Sequence, residues 1–141
     1  MPQLPILQQS LQFQDAVAFR TTDGSVTYSD LLRQSTFVAI ELLQGLADLQ
    51  EARVGLLVPA DQRFVAALWG TWQAGGIAVP LCLSATDPEW DYSFTDAGIS
   101  TVITTSALAA RLQPLCTLRG IRLLLPIGGV LRQERALLRP R

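Results

Sequence analysis

Arg53-Val54-Gly55-Leu56-Leu57-Val58-Pro59, followed by Asp61 to Ala74 and then by Gly75-Gly76-Ile77-Ala78-Val79-Pro80-Leu81-Cys82, decides the fold. An apolar run closed by Pro, a helical stretch and a second apolar run make one strand, helix, strand unit. Neither run alternates with period two, so both strands are buried on two faces, as in a parallel sheet covered by helices. The beat recurs with a helix at Asp87 to Ala97, a strand at Ser100 to Thr104, a helix at Ala107 to Leu118 and a strand at Ile121 to Leu125. Thr86, Pro88 and Glu89 supply a cap, an early Pro and the acid of a helix start, and Gly98 supplies the stop. The expected fold class is therefore α/β, with parallel strands at Val54, Ile77, Val102 and Leu123.

Upstream, Leu4 to Leu11 reads as a short helix, and Ala16 to Arg20, the turn pair Asp23-Gly24 and Ser25 to Tyr28 read as a β-hairpin. From about Ser29 a helix is expected, because Leu31, Leu32, Ser35, Val38, Ala39, Leu42 and Leu43 recur at three- and four-residue spacings. Thr27 and Asp30 fit a capping box at its start, and Gly45 is its expected stop.

With 141 residues, 49% apolar and 16% charged, the chain suits one globular domain and not a disordered segment. A net charge of −1, with Arg scattered from Arg20 onward, gives no field to gather nucleic acid. No apolar run approaches the ~18 to 20 residues that cross a bilayer, and the first residues have no basic flank, so a cytoplasmic location is expected. Cys82 and Cys116 sit among apolar neighbours with no His or third Cys, and are expected as buried, reduced thiols. The chain has neither His nor Lys, and all eleven basic residues are Arg. The usual general base near neutral pH and the usual point charge against a phosphate are both missing, which argues against a complete hydrolase or kinase.

Phe64-Val65-Ala66-Ala67-Leu68-Trp69-Gly70-Thr71-Trp72-Gln73-Ala74-Gly75-Gly76 running into Ile77-Ala78-Val79-Pro80-Leu81 resembles the amino-terminal subdomain of the adenylate-forming (AMP-dependent) synthetases and ligases. The resemblance extends from Val26-Thr27-Tyr28-Ser29-Asp30-Leu31 through Arg53-Val54-Gly55-Leu56-Leu57-Val58-Pro59 to Val102-Ile103-Thr104, covering about Ala16 to Leu125. Trp69 and Trp72 with Leu81 look closer to the malonyl- and medium-chain acyl-CoA ligase branches than to the luciferases. The resemblance implies activation of a carboxylic acid by Mg-ATP to an acyl-adenylate, then transfer to a thiol such as coenzyme A. It also implies a Ser/Thr/Gly-rich phosphate loop, an acidic ribose ligand and a Lys from a mobile carboxy-terminal domain. None of those motifs occurs here.

Other candidates have structural readings. Thr104-Thr105-Ser106 lacks the Gly and Lys of a phosphate loop and reads as a helix cap. Asp87, Glu89, Asp91 and Asp96, interleaved with Trp90, Tyr92 and Phe94, read as the charged side of an amphipathic helix. Asp61 reads as a helix cap, and Trp69 and Trp72 as core, with Trp72 expected to lie buried against the sheet. A parallel sheet places ligands beyond the carboxyl ends of its strands, here Pro59 to Asp61, Leu83 to Thr86 and Thr104 to Ser106. No residue is assigned a catalytic, cofactor-binding or metal-ligating role.

Residues 1–126 are thus expected to form a partial amino-terminal ligase domain, and residues 127–141 a divergent Arg-rich tail. The expected function is that of a ligase fragment inactive by itself, needing no cofactor alone, with ATP, Mg²⁺ and CoA belonging to the full-length family and the missing remainder as its partner. A free-standing α/β interaction module is the alternative. A flavodoxin-like nucleotide-binding domain is disfavoured, since Val58-Pro59-Ala60-Asp61 has no Gly-rich turn.

Overall fold

In the computed structural model, which describes residues 4–125, both Thr-to-acid signals form capping boxes. Thr27 and Asp30 exchange side-chain to backbone bonds of 3.1 Å each, starting helix α2 at Tyr28–Leu43. Thr86 and Glu89 do the same for α4 at Asp87–Asp96, with Pro88 in the first turn. Each box satisfies two of the donors that a helix start leaves bare. Ahead of α2 lie α1 at Pro5–Ser10, a 3-10 turn at Leu11–Phe13, and the antiparallel hairpin of β1 at Val17–Thr21 with β2 at Gly24–Thr27. After it come β3 at Arg53–Leu57, α3 at Gln62–Gln73, β4 at Ile77–Pro80, β5 at Ile99–Thr104, α5 at Ser106–Arg119 and β6 at Arg122–Leu124, with α4 between β4 and β5. The expected tail at residues 127–141 lies outside the described residues.

The sheet has the order β4-β3-β5-β6, and every neighbouring pair is parallel, as the apolar runs predict. Val54 stands opposite Ala78 and Thr101, and Leu56 opposite Pro80 and Ile103. Successive residues point to opposite faces. Val54, Leu56 and Ile103 pack beneath Val38, Ala39 and Leu42 of α2 and Ala67 of α3. Leu57 and Val102 pack with Trp90 and Phe94 of α4 and Leu112 and Cys116 of α5. A third cluster joins Leu7, Leu31, Ala66 and Trp69 to the hairpin residues Ala18, Phe19 and Val26.

Two expectations about the helices need correction. Helix α2 stops one residue early, with Gln44 itself in the left-handed region at φ 47° and Gly45 following at φ 84°. Trp72 is 37% exposed, whereas Trp69 is 7% exposed. The buried arc of α3 is set by α2 and the hairpin as well as by the sheet, and that rotates Trp69 inward and Trp72 outward. Gly70 is the reason α3 can lie so close to α2: a Cβ there would sit 2.6 Å from Val38 Cβ and 2.7 Å from the Ser35 carbonyl oxygen.

Candidate functional site

Because the strands run parallel, the loops after β3, β4 and β5 share one rim of the sheet. At the first, Asp61 caps α3 by accepting from Arg63 N at 2.9 Å, and its carboxylate also accepts from Arg63 Nη2 at 2.8 Å. Partial burial pushes the Asp61 carboxyl up, but the Arg63 hydrogen bonds and charge outweigh it and hold the group below the ordinary carboxylate range. At the third, the buried Thr104 donates its hydroxyl to the Leu57 carbonyl at 2.9 Å, across the sheet and away from solvent. Thr105 occupies the cap position of α5 without a side-chain bond, so the capping read from Thr104-Thr105-Ser106 is positional only.

The loop after β4 is the most open part of the rim. Past it lies a cavity of about 600 Å³ bounded by Cys82, Ser84, Ala85, Pro88, Glu89 and Tyr92. Cys82 is exposed, against the expectation of a buried thiol, because the chain leaves the sheet at Pro80 and the Cys82 carbonyl is pinned instead by Trp90 Nε1 at 2.8 Å. Its Sγ lies 3.2 Å from Ser84 Oγ, and that hydroxyl, assisted by the loop's backbone, draws the thiol below its ordinary value. Cys116 is buried as expected, and burial pushes its thiol up.

Three of the four acids of α4, Asp87, Glu89 and Asp91, are engaged in structure. Asp87 accepts from Arg111 Nε at 2.8 Å, Asp91 from Arg119 Nε at 2.6 Å, and Glu89 caps its own helix through Thr86. Arg111 also donates to the Ala85 carbonyl at 3.0 Å and lies 4.2 Å from the centre of the Trp90 ring. Among the described residues, the Arg on the rim, Arg63 and Arg111, each face a carboxylate, and a phosphate arriving there meets paired charges. Among the described residues no group of three or more His, Cys, Asp or Glu is placed to hold a metal ion. Among them too, no helix is long and apolar enough to cross a membrane. Sequence reasoning found the rim but not the Arg111 contact with Trp90 or the Cys82 exposure, since both depend on which residues meet across elements.

A family model of AMP-binding enzymes matches residues 7–134. The mitochondrial malonate–CoA ligase ACSF3 of Mus musculus is 35% identical over 125 residues, which cover 86% of this chain and 21% of that protein. The crystal structure of apo MatB from Rhodopseudomonas palustris superposes with a TM-score of 0.69 at 25% identity, over 82% of this chain and 23% of the other. The unliganded o-succinylbenzoate coenzyme A synthetase of Bacillus subtilis, at 19% identity, shares the fold with a TM-score of 0.72, over 88% of this chain and 25% of the other. The chain spans about a fifth of the length of the curated relatives it matches.

Proposed function

The chain belongs to the AMP-binding enzyme family, and from that premise we propose that it is a structural segment of an acyl-CoA ligase, inactive alone, whose chemistry is completed by polypeptide outside this sequence. The carrying observation is the pairing of a family match along most of the chain with a rim where, among the described residues, Arg63 and Arg111 are each held by a carboxylate. Adenylation needs donors and a cation aimed at the transferring phosphoryl group, and such donors are commonly worth a few kcal/mol of barrier each. The sequence has no Lys and no Gly-rich phosphate loop to supply them. No residue of residues 1–126 is given a catalytic, cofactor or metal role in this proposal.

The completed enzyme would use ATP, Mg²⁺ and CoA, with malonate as the first acid to try, since relatives are malonate–CoA ligases. Its partner is the remainder of the ligase, and nucleic acid has no part in it. A cytoplasmic location belongs to the same proposal; the mammalian relatives are mitochondrial proteins, so a fluorescent fusion that enters mitochondria would overturn it. The activity test is exchange of labelled pyrophosphate into ATP by the purified chain. No malonate-dependent exchange is expected, and exchange that needs Mg²⁺ and survives repurification would refute the proposal.

A further inference from the structure

We propose that the pocket between the amino-terminal turns and helices α2 and α3 is a binding site for a neutral single-ring arene carrying one hydrogen-bond acceptor, of the phenol or aryl ketone class. The cavity has a volume of about 230 Å³ and is lined by Ile6, Gln9, Ser10, Phe13, Tyr28 and Trp69. Ile6, Gln9, Ser10 and Phe13 follow one another at short helical spacings, so α1 and the 3-10 turn after it present them as one stripe. Leu7, off that stripe, is the residue of α1 that joins the buried cluster with Leu31, Ala66 and Trp69. The stripe itself is left open beside Trp69, with Ile6 at 44% exposure and Phe13 at 52%.

The polar groups set the chemistry. Trp69 is 7% exposed, and among the described residues its indole N–H has no hydrogen-bond partner, whereas the indole of Trp90 donates to the Cys82 carbonyl at 2.8 Å. The unmet side-chain atom that is fully shut from solvent is Gln34 Oε1, so the Trp69 N–H keeps an opening, and this pocket is the opening that Trp69 lines. An indole N–H can only donate, so what settles there has to accept. Ser10 Oγ already donates to the Ile6 carbonyl at 2.7 Å and keeps accepting capacity alone. None of the lining side chains is charged, and a carboxylate or phosphate would be stripped of water with no cation to meet it. A carboxylic acid substrate is thereby excluded, so this pocket is a site apart from the chemistry proposed above. Size decides the rest: a dry cavity of about 150 Å³ takes benzene, so 230 Å³ admits one ring with a small substituent. Walls of Phe13, Tyr28 and Trp69 favour an arene over an aliphatic ring of equal size, through offset-stacked or edge-to-face contacts.

The test titrates acetophenone into the ¹⁵N-labelled full 141-residue chain and follows the indole N–H signals of its three Trp. The Trp69 signal should move saturably, with half-saturation on the order of 1 mM, while those of Trp72 and Trp90 stay in place. Toluene, which has the ring without the acceptor, and benzoate, which adds the charge, should each bind at least about tenfold more weakly. Phe13→Ala, at an exposed position, should weaken acetophenone at least about fivefold in a chain that stays folded, and Trp69→Phe should erase the advantage over toluene. No saturable Trp69 shift by about 10 mM acetophenone, a shift centred on Trp72 or Trp90, or binding untouched by Phe13→Ala overturns the site. Toluene or benzoate binding as tightly as acetophenone overturns the ligand class.

Discussion

The two helical layers over the sheet are held in different ways. Helices α2 and α3 lie against each other through shape: Gly70 removes a side chain where Val38 and the Ser35 carbonyl come within contact, and the cluster beneath is Val, Ala, Leu and Ile. Helices α4 and α5 are bridged by Asp87 with Arg111 and Asp91 with Arg119, above the large aromatics Trp90 and Phe94. Close backbone approach tolerates no added atom, because packed interiors cannot give way locally. Ion pairs on long side chains tolerate adjustment but respond to salt and acid. One layer is therefore sensitive to volume and the other to solution conditions, with the buried aromatics Trp90 and Phe94 as its anchor.

That contrast can be broken or sharpened by measurement. The largest effect is expected from Trp90→Ala, which removes a side chain 1% exposed along with its bond to the Cys82 carbonyl, and should cost about 3 to 5 kcal/mol in denaturant unfolding. A cost under about 1 kcal/mol would show that the α4 layer does not depend on its anchor. Gly70→Ala comes next. In an open helix this change gains up to about 1 kcal/mol, but here the new methyl meets backbone, and a net loss of about 1 to 3 kcal/mol is expected. A stabilised variant would remove the case for shape on the α2 side.

Arg111→Ala should cost about 1 kcal/mol or less, with half-exposed partners, and the loss should shrink as salt is added. A salt-independent loss would assign the contribution to packing on Trp90 instead. The smallest effect concerns Asp91, held below the ordinary carboxylate range by the hydrogen bond and charge of Arg119. A carboxyl lowered in the folded state contributes stability that is present above its unfolded value, about pH 4, and is lost as pH falls through the folded value. Arg119→Gln should therefore flatten the fall in melting temperature below about pH 4, and an unchanged slope would mean that the pair carries none of the acid sensitivity.

Much of this architecture was legible in advance. Apolar runs without alternation marked the four sheet strands, and Thr27 with Asp30 and Thr86 with Glu89 marked two helix starts, because those signals are local. What escaped depends on which elements meet. The expectation that Trp72 lies against the sheet assumed that α3 faces the sheet alone, whereas the α1 and hairpin cluster claims Trp69. Cys82 looked buried from its neighbours Leu81 and Leu83, and only the indole bond to its carbonyl reveals that the chain has already turned off the sheet. The rim itself followed from parallel strands, but the pairing of its charges required Asp87 and Arg111 to meet across 24 positions of sequence.

Arg122 closes the carboxyl end of α2 from 80 and 81 positions away. Contacts of such sequence separation form late, since the loop entropy must be overcome before they return anything. During synthesis, α2 and the hairpin emerge first, and Gln44 N and Leu46 N can already close the Ile40 and Leu43 carbonyls, yet the Glu41 and Leu42 carbonyls lack their Arg122 partner until β6 has left the ribosome and joined β5. Completion of the first long helix is thus timed by β6, and a nascent chain halted anywhere short of Arg122 carries a frayed helix end together with a sheet that lacks this strand.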